Sequence, residues 1–246
     1  MHYTLQLKDF QETYKSLTAS VKCECVFATE LVGGQPAGED GVRRFVEHQL
    51  ELTGEEAEQA VRRILGQEIG DRDVTPTGGE LQETLTYGIN VIRRSERGPW
   101  IGNWQIKACL KQAASRLNIF VEQRGSKGNL SEGGVVIPYG DSQQGDHPDH
   151  IYLRNGTAEA KTTWKKFSGR VTGPRGSVSI ITDTETAPPG TRFSFEYRFL
   201  PGRLTAKDVQ QVLALSMICG LGSAKSFERG KFRIERAEID IPEKSK

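Results

Sequence analysis

No stretch of this 246-residue sequence approaches the roughly 18 apolar residues a membrane-spanning helix needs. Its first ten residues, MHYTLQLKDF, also have no apolar signal region. A cytoplasmic protein with no membrane partner is the expectation. Cysteine is scarce: Cys23, Cys25, Cys109 and Cys219 all fall in apolar-patterned segments. Cys23 and Cys25 are too close together for a zinc knuckle and no histidine stands at a partner spacing, so buried free thiols are expected. An excess of one charge is missing too. With a formal net charge of +1 the total favours no partner, and its distribution along the chain is more informative.

What is present is enough for one good core: 36% of residues are hydrophobic and 26% charged, in a length that allows one or two domains. Within 17–31, Ala19, Val21, Cys23, Cys25 and Phe27 alternate with Ser20, Lys22, Glu24 and Val26, the period of a half-buried strand, and Gly33-Gly34 follow in a loop. The segment 39–83 carries twelve acids against five arginines. Phe45, Val46, Leu50 and Leu52 predict a short helix there. Thr53 with Glu56 caps a second, whose stripe is Ala57, Ala60, Val61, Ile64 and Leu65. This reads as an acidic helical insertion over 39–80. Residues 81–93 alternate again. Gly98-Pro99-Trp100-Ile101-Gly102-Asn103 then leads into a helix with Asn103 as N-cap and Ile106, Cys109, Leu110, Ala113, Ala114 and Leu117 as its stripe. Over 93–127 there are eight cations and two acids, so the chain is polarised into an acidic lobe and a basic body.

Further on, Ile119–Val121 and Val135–Ile137 predict short strands around a polar loop, and 139–150, YGDSQQGDHPDH, is a second polar loop. Lys161, Trp164, Lys165, Lys166, Phe167 and Arg170 form a basic aromatic patch before a Gly-Pro-Arg-Gly turn, and the whole of 122–180 is read as a loop and hairpin insertion. The strictest alternation is RFSFEYRFL at 192–200. Thr205, with Asp208 three residues on, caps an apolar helix that ends in Gly220-Leu221-Gly222. A polar loop, Gly230-Lys231-Phe232 and a final strand over 231–241 complete the chain. Glycines at a helix end beside small hydroxyls and cations suit phosphate binding through backbone N–H groups, though taken alone they more often mark an ordinary helix stop. Spacing alone predicts a mixed α+β domain over 1–246.

Three motifs together resemble the repeat-associated mysterious protein (RAMP) superfamily of CRISPR systems, most nearly its Cas7-like backbone subunits. They are Leu31-Val32-Gly33-Gly34 after the first strand; the segment Pro99 through Lys111; and the tail from Gly190-Thr191-Arg192-Phe193 through Gly220-Leu221-Gly222, Ser226-Phe227 and Gly230-Lys231-Phe232. The resemblance runs from about residue 17 to 239. It departs at Asn103-Trp104, where the family has a serine pair, and in the acidic insertion. It implies a modified ferredoxin-like, RNA-recognition-motif palm with an inserted helical finger region and a thumb-like hairpin or loop.

It also implies a protein that coats single-stranded guide RNA, and possibly meets target RNA, as a filament of its own copies with other effector subunits. On that reading the RNA-binding candidates are Gly33, Gly34, Asn103, Lys107, Lys111, Trp164, Lys165, Lys166, Gly220, Gly222, Ser223, Lys225, Ser226 and Arg229. Lys107 and Lys111, one turn apart, are phosphate ligands or a solvated helix face. Trp164 with Phe167 is a base-stacking pair or an aromatic lid on the core. For catalysis Asp40 stands where some relatives have an aspartate that cleaves target RNA, and His48 is a candidate base for guide processing; the loop with Asp141, Asp146, His147, Asp149 and His150 is a metal candidate or simply solvated. No cofactor is expected, with Mg²⁺ entering only for a nuclease. A binding subunit is preferred to a RAMP endoribonuclease or to a phage or mobile-element protein coating single-stranded DNA.

Overall fold

The computed structural model describes residues 17–70, 86–118, 135–138, 149–173, 176–199, 205–223 and 228–242. In chain order the strands are β1 Ala19–Phe27, β2 Leu31–Val32, β3 Gln35–Pro36, β4 Thr86–Val91, β5 Arg93–Ser95, β6 Gly98–Gly102, β7 Val135–Pro138, β8 His150–Tyr152, β9 Arg154–Asn155, β10 Ala158–Glu159, β11 Thr163–Gly173, β12 Gly176–Ala187, β13 Arg192–Phe199 and β14 Phe232–Asp240. The helices are α1 Glu39–Gln49, α2 Gly54–Gly70, α3 Asn103–Arg116 and α4 Ala206–Cys219. The described residues fall into two compact units: one from the stretches Met1–Leu31, Arg94–Lys161 and Pro188–Lys246, the other from Val32–Arg93 and Thr162–Ala187.

The first unit is a ferredoxin-like palm. Its main elements follow in the order β1, α3, β7, β13, α4, β14, and its sheet runs β7-β13-β1-β14 with every pairing antiparallel, which is the split βαβ arrangement. The alternation read in β1 and β13 explains the core. Ala19 lies opposite Phe199, Val21 opposite Tyr197, Cys23 opposite Phe195 and Cys25 opposite Phe193, so a small residue on β1 meets a large one on β13 at each step. All eight are buried. Such pairing sets small side chains against large ones on one buried face, and each fully buried aromatic contributes about 1.5–3 kcal/mol. The two helices pack on each other, with Cys109 Sγ donating to the Ser216 carbonyl at 3.3 Å. The capping box expected for α4 is present, Thr205 and Asp208 each bonding the other's backbone N–H.

The second unit pairs β11-β12-β4-β3, with β2 also on β12. β11 and β12 form a long hairpin from Thr163↔Thr186 to Gly173↔Gly176, and β12 runs parallel to β4. Helices α1 and α2 close its core through Val42, Phe45, Val46, Ala57 and Val61, against Ala37, Ile89 and Val91. The first of these helices starts at Glu39, well before Phe45, where the apolar pattern had suggested. Glu39 and Asp40 form its first turn, where carboxylates stabilise the positive end of a helix dipole. Leu50 and Leu52 fall beyond it.

Candidate nucleic-acid interface

On the palm, β6 is buried along its length and runs directly into α3. Because strand geometry continues to Gly102, that residue is the N-cap, without a side-chain cap bond, and Asn103 is the first helical residue. The cap expected of Asn103 is therefore replaced. Its N–H donates to the Asp149 carbonyl at 2.9 Å and its Nδ2 to Asp149 Oδ1 at 2.6 Å, so a carboxylate already faces this end of the helix. Ile106, Cys109, Leu110, Ala113 and Ala114 are buried, which turns Lys107, half-buried, and Lys111, exposed, outward. Trp104, also exposed, precedes them on the same helix.

Beside this helix the small sheet β5-β6-β8 carries a group that the sequence reading did not assemble. The rings of Trp100 and His150 stack with centroids 3.5 Å apart. The Tyr152 hydroxyl lies 3.1 Å from Ser95 Oγ, and the guanidinium carbons of Arg97 and Arg154 stand 4.8 and 5.1 Å from its ring centroid. Arg154 also donates to the Arg97 carbonyl at 3.0 Å. The signal was available, since His150, Tyr152 and Arg154 alternate as residues on one strand face do. It was hidden because 139–150 reads as one polar loop; of that loop Asp141, Asp146 and His147 lie outside the described residues.

At the end of α4, the described part of the glycine loop is bonded into the palm. The Gly220 N–H donates to the Ser216 carbonyl at 3.1 Å, Leu221 N–H to Gly230 O at 2.9 Å, and Gly230 N–H to Glu30 O at 2.8 Å. Gly230 has φ +70°, and a Cβ there would fall 1.8 Å from the Leu221 carbonyl oxygen, so only glycine closes the loop. Gly222 has φ +83°, and Ser223 after it is exposed. Arg229 reaches back to the buried Glu30 carboxylate at 2.7 Å. Lys225 and Ser226 lie outside the described residues. Arg116, in the last turn of α3, contacts Cys219 Sγ, so the loop adjoins the far end of that helix, roughly 20 Å along its axis from Asn103.

The remaining candidates belong to the second unit. Gly33 is buried against the Val91–Ile92 peptide and donates its N–H to the Glu185 carbonyl at 2.9 Å, while Gly34 is exposed. The Glu185 carboxylate is buried and accepts from Thr162 Oγ1 at 2.6 Å and from Ile92 N–H at 3.1 Å, with Arg44 at 3.6 Å. Trp164 packs edge-on to Phe45, centroids 5.3 Å apart, at the rim of the core. Phe167, three residues along the same strand, points to the opposite face, so the two rings do not form one platform. Lys165 and Lys166 are exposed on opposite faces for the same reason. Asp40 and His48 are both exposed, eight residues apart on α1 and so roughly 12 Å apart along its axis. Among the described residues no group of three His, Cys, Asp or Glu side chains is positioned to hold a metal ion, and no helix is long and apolar enough to cross a membrane.

No family model and no curated protein matches the sequence. Among solved structures, the chain is similar to one in the type III-B Cmr-beta complex bound to cognate target RNA, at 13% identity and a TM-score of 0.50, covering 96% of this chain and 66% of that one. This chain therefore spans just under two thirds of that neighbour's length. A chain of a type IV-B CRISPR complex aligns at 11% identity and a TM-score of 0.36, covering 90% of both. The first likeness is one of fold.

Proposed function

We propose that this chain binds single-stranded RNA as a backbone subunit of a CRISPR effector, laying the strand along the outward face of α3. The observation that carries the reading is the pair Lys107 and Lys111, one helical turn apart on a helix whose other side is fixed in the palm core. Phosphates bound there would position a strand without reading its sequence. The fold shared with a chain of an RNA-bound type III-B complex supports this, as does the ferredoxin-like sheet beneath the helix. Guide RNA is the first expected ligand, with other copies of the chain and further effector subunits as partners along it.

Holding is favoured over cutting. Phosphodiester cleavage needs a base, a nucleophile and charge stabilisation converging within about 3 Å of one phosphate. Asp40 and His48 stand apart, both exposed on α1. The deciding experiment is to identify the nucleic acid that co-purifies with the protein and to measure its binding to mixed-sequence single-stranded RNA and DNA of equal length. RNA of regular footprint supports the reading. Retention of DNA alone would favour a DNA-coating protein, and no binding to either strand would end the proposal.

A further inference from the structure

We infer that Trp104 is a stacking platform for one unpaired base of the bound strand, an inference that rests on the nucleic-acid reading of α3. A tryptophan is among the side chains that burial most rewards, yet Trp104 stays 43% exposed. Its position is nonetheless fixed. The six-membered part of the indole lies over Gly102, where a Cβ would come within 2.3 Å of the ring, so glycine at 102 makes the seat. The ring meets Trp100 edge to face, centroids 6.0 Å apart at 88°, and Trp100 is itself clamped by the stacked His150. A fixed aromatic surface loses little side-chain entropy when a flat ligand settles on it.

The charges around it select what that ligand is. Asp149, hydrogen-bonded to Asn103, puts a carboxylate at the start of α3, which disfavours a phosphate at this end. Lys107 and Lys111 follow one and two turns later, on the order of 6 Å apart along the axis, and attract phosphates there. A neutral base on Trp104 with its neighbouring phosphates directed to Lys107 and Lys111 satisfies all four side chains. Stacking tolerates any base, since every base has a π-face.

The test uses the full chain and a mixed-sequence single-stranded RNA carrying 2-aminopurine, with affinity measured by anisotropy across a salt series. Trp104→Ala is expected to weaken binding roughly 5- to 100-fold. Its salt slope should be that of the parent and its melting temperature close to it, with the 2-aminopurine signal no longer quenched; Trp104→Phe should retain most of the affinity. Lys107→Ala should do the reverse, lowering the salt slope while leaving the quenching. If the parent binds and Trp104→Ala binds equally well, stacking is excluded while the RNA reading survives. If Trp104→Ala loses affinity together with salt slope and melting temperature, the ring is structural and the inference falls. If the parent binds no single strand, the underlying reading fails and takes this one with it.

Discussion

Arg229 Nη1 stands 2.7 Å from Oε1 of Glu30, a carboxylate that is almost wholly buried. The same Glu30 accepts the Gly230 N–H through its main-chain carbonyl. The pair thus ties the segment after β1 to the segment before β14 through both side chain and backbone. A cation that sequence alone assigns to a phosphate already has a partner inside the protein.

Removing that cation takes an ion-pair partner away from a buried acid. Arg229→Ala is expected to lower stability by about 1–3 kcal/mol in urea denaturation, less than a fully buried pair because the guanidinium is partly exposed. Adding Glu30→Gln should return part of the loss. A stability unchanged in the single variant would show that Glu30 has other support.

Gly230→Ala tests the loop closure. The left-handed backbone and the Leu221 carbonyl together forbid a Cβ, so a loss of at least about 2 kcal/mol is expected in thermal or chemical melts. Gly38, the N-cap of α1 at φ −76° and with nothing within 4 Å of a Cβ, is the control; its alanine variant should lose no more than about 1 kcal/mol.

Burial raises the Cys23 thiol from its ordinary 9.0 to about 12, and raises Cys25 as well, with its neighbour Cys23 adding to the effect. The folded state therefore keeps protons that the unfolded chain releases. Stability should be insensitive to these thiols below pH 9 and fall between pH 9 and 12, by up to about 1.4 kcal/mol per pH unit for each thiol. Denaturation across that range, compared with Cys23→Ala, reads the slope; a parent slope no steeper than the variant's would refute the assignment. All four buried cysteines should also resist a thiol reagent at pH 8 until denaturant is added.

For the α3 cations, single alanine variants at Lys107 and Lys111 should each weaken RNA binding across all sequences and reduce the salt slope by roughly one contact. Base preference should not move. A salt series unchanged in both variants would remove the observation on which the proposed function stands.

The palm was legible because its strands follow a strict period of two: Val21, Cys23 and Cys25 on β1 and Phe193, Phe195 and Tyr197 on β13 fall on one buried face, as read. The α4 cap was legible for a local reason, Thr205 and Asp208 at capping-box spacing. What escaped reading depends on distant partners. Nothing near Asn103 in sequence announces Asp149, and nothing near Arg229 announces Glu30, though both pairings decide what those side chains can offer a ligand. The start of α1 was missed because Glu39 and Asp40 carry no apolar signal. Sequence allows Trp164 to stack on a base or to close the core, and its edge contact with Phe45 joins it to the core.

The position of β1 between β13 and β14 bears on how the protein is made. A ribosome extrudes β1 well before either of its sheet neighbours, which follow about 170 residues behind it for β13 and about 200 for β14. At roughly 5–20 residues per second, the strand waits on the order of ten to forty seconds with Val21, Phe27 and its thiols uncovered. Folding of the palm sheet therefore finishes only after β14 has been made, whatever forms before it.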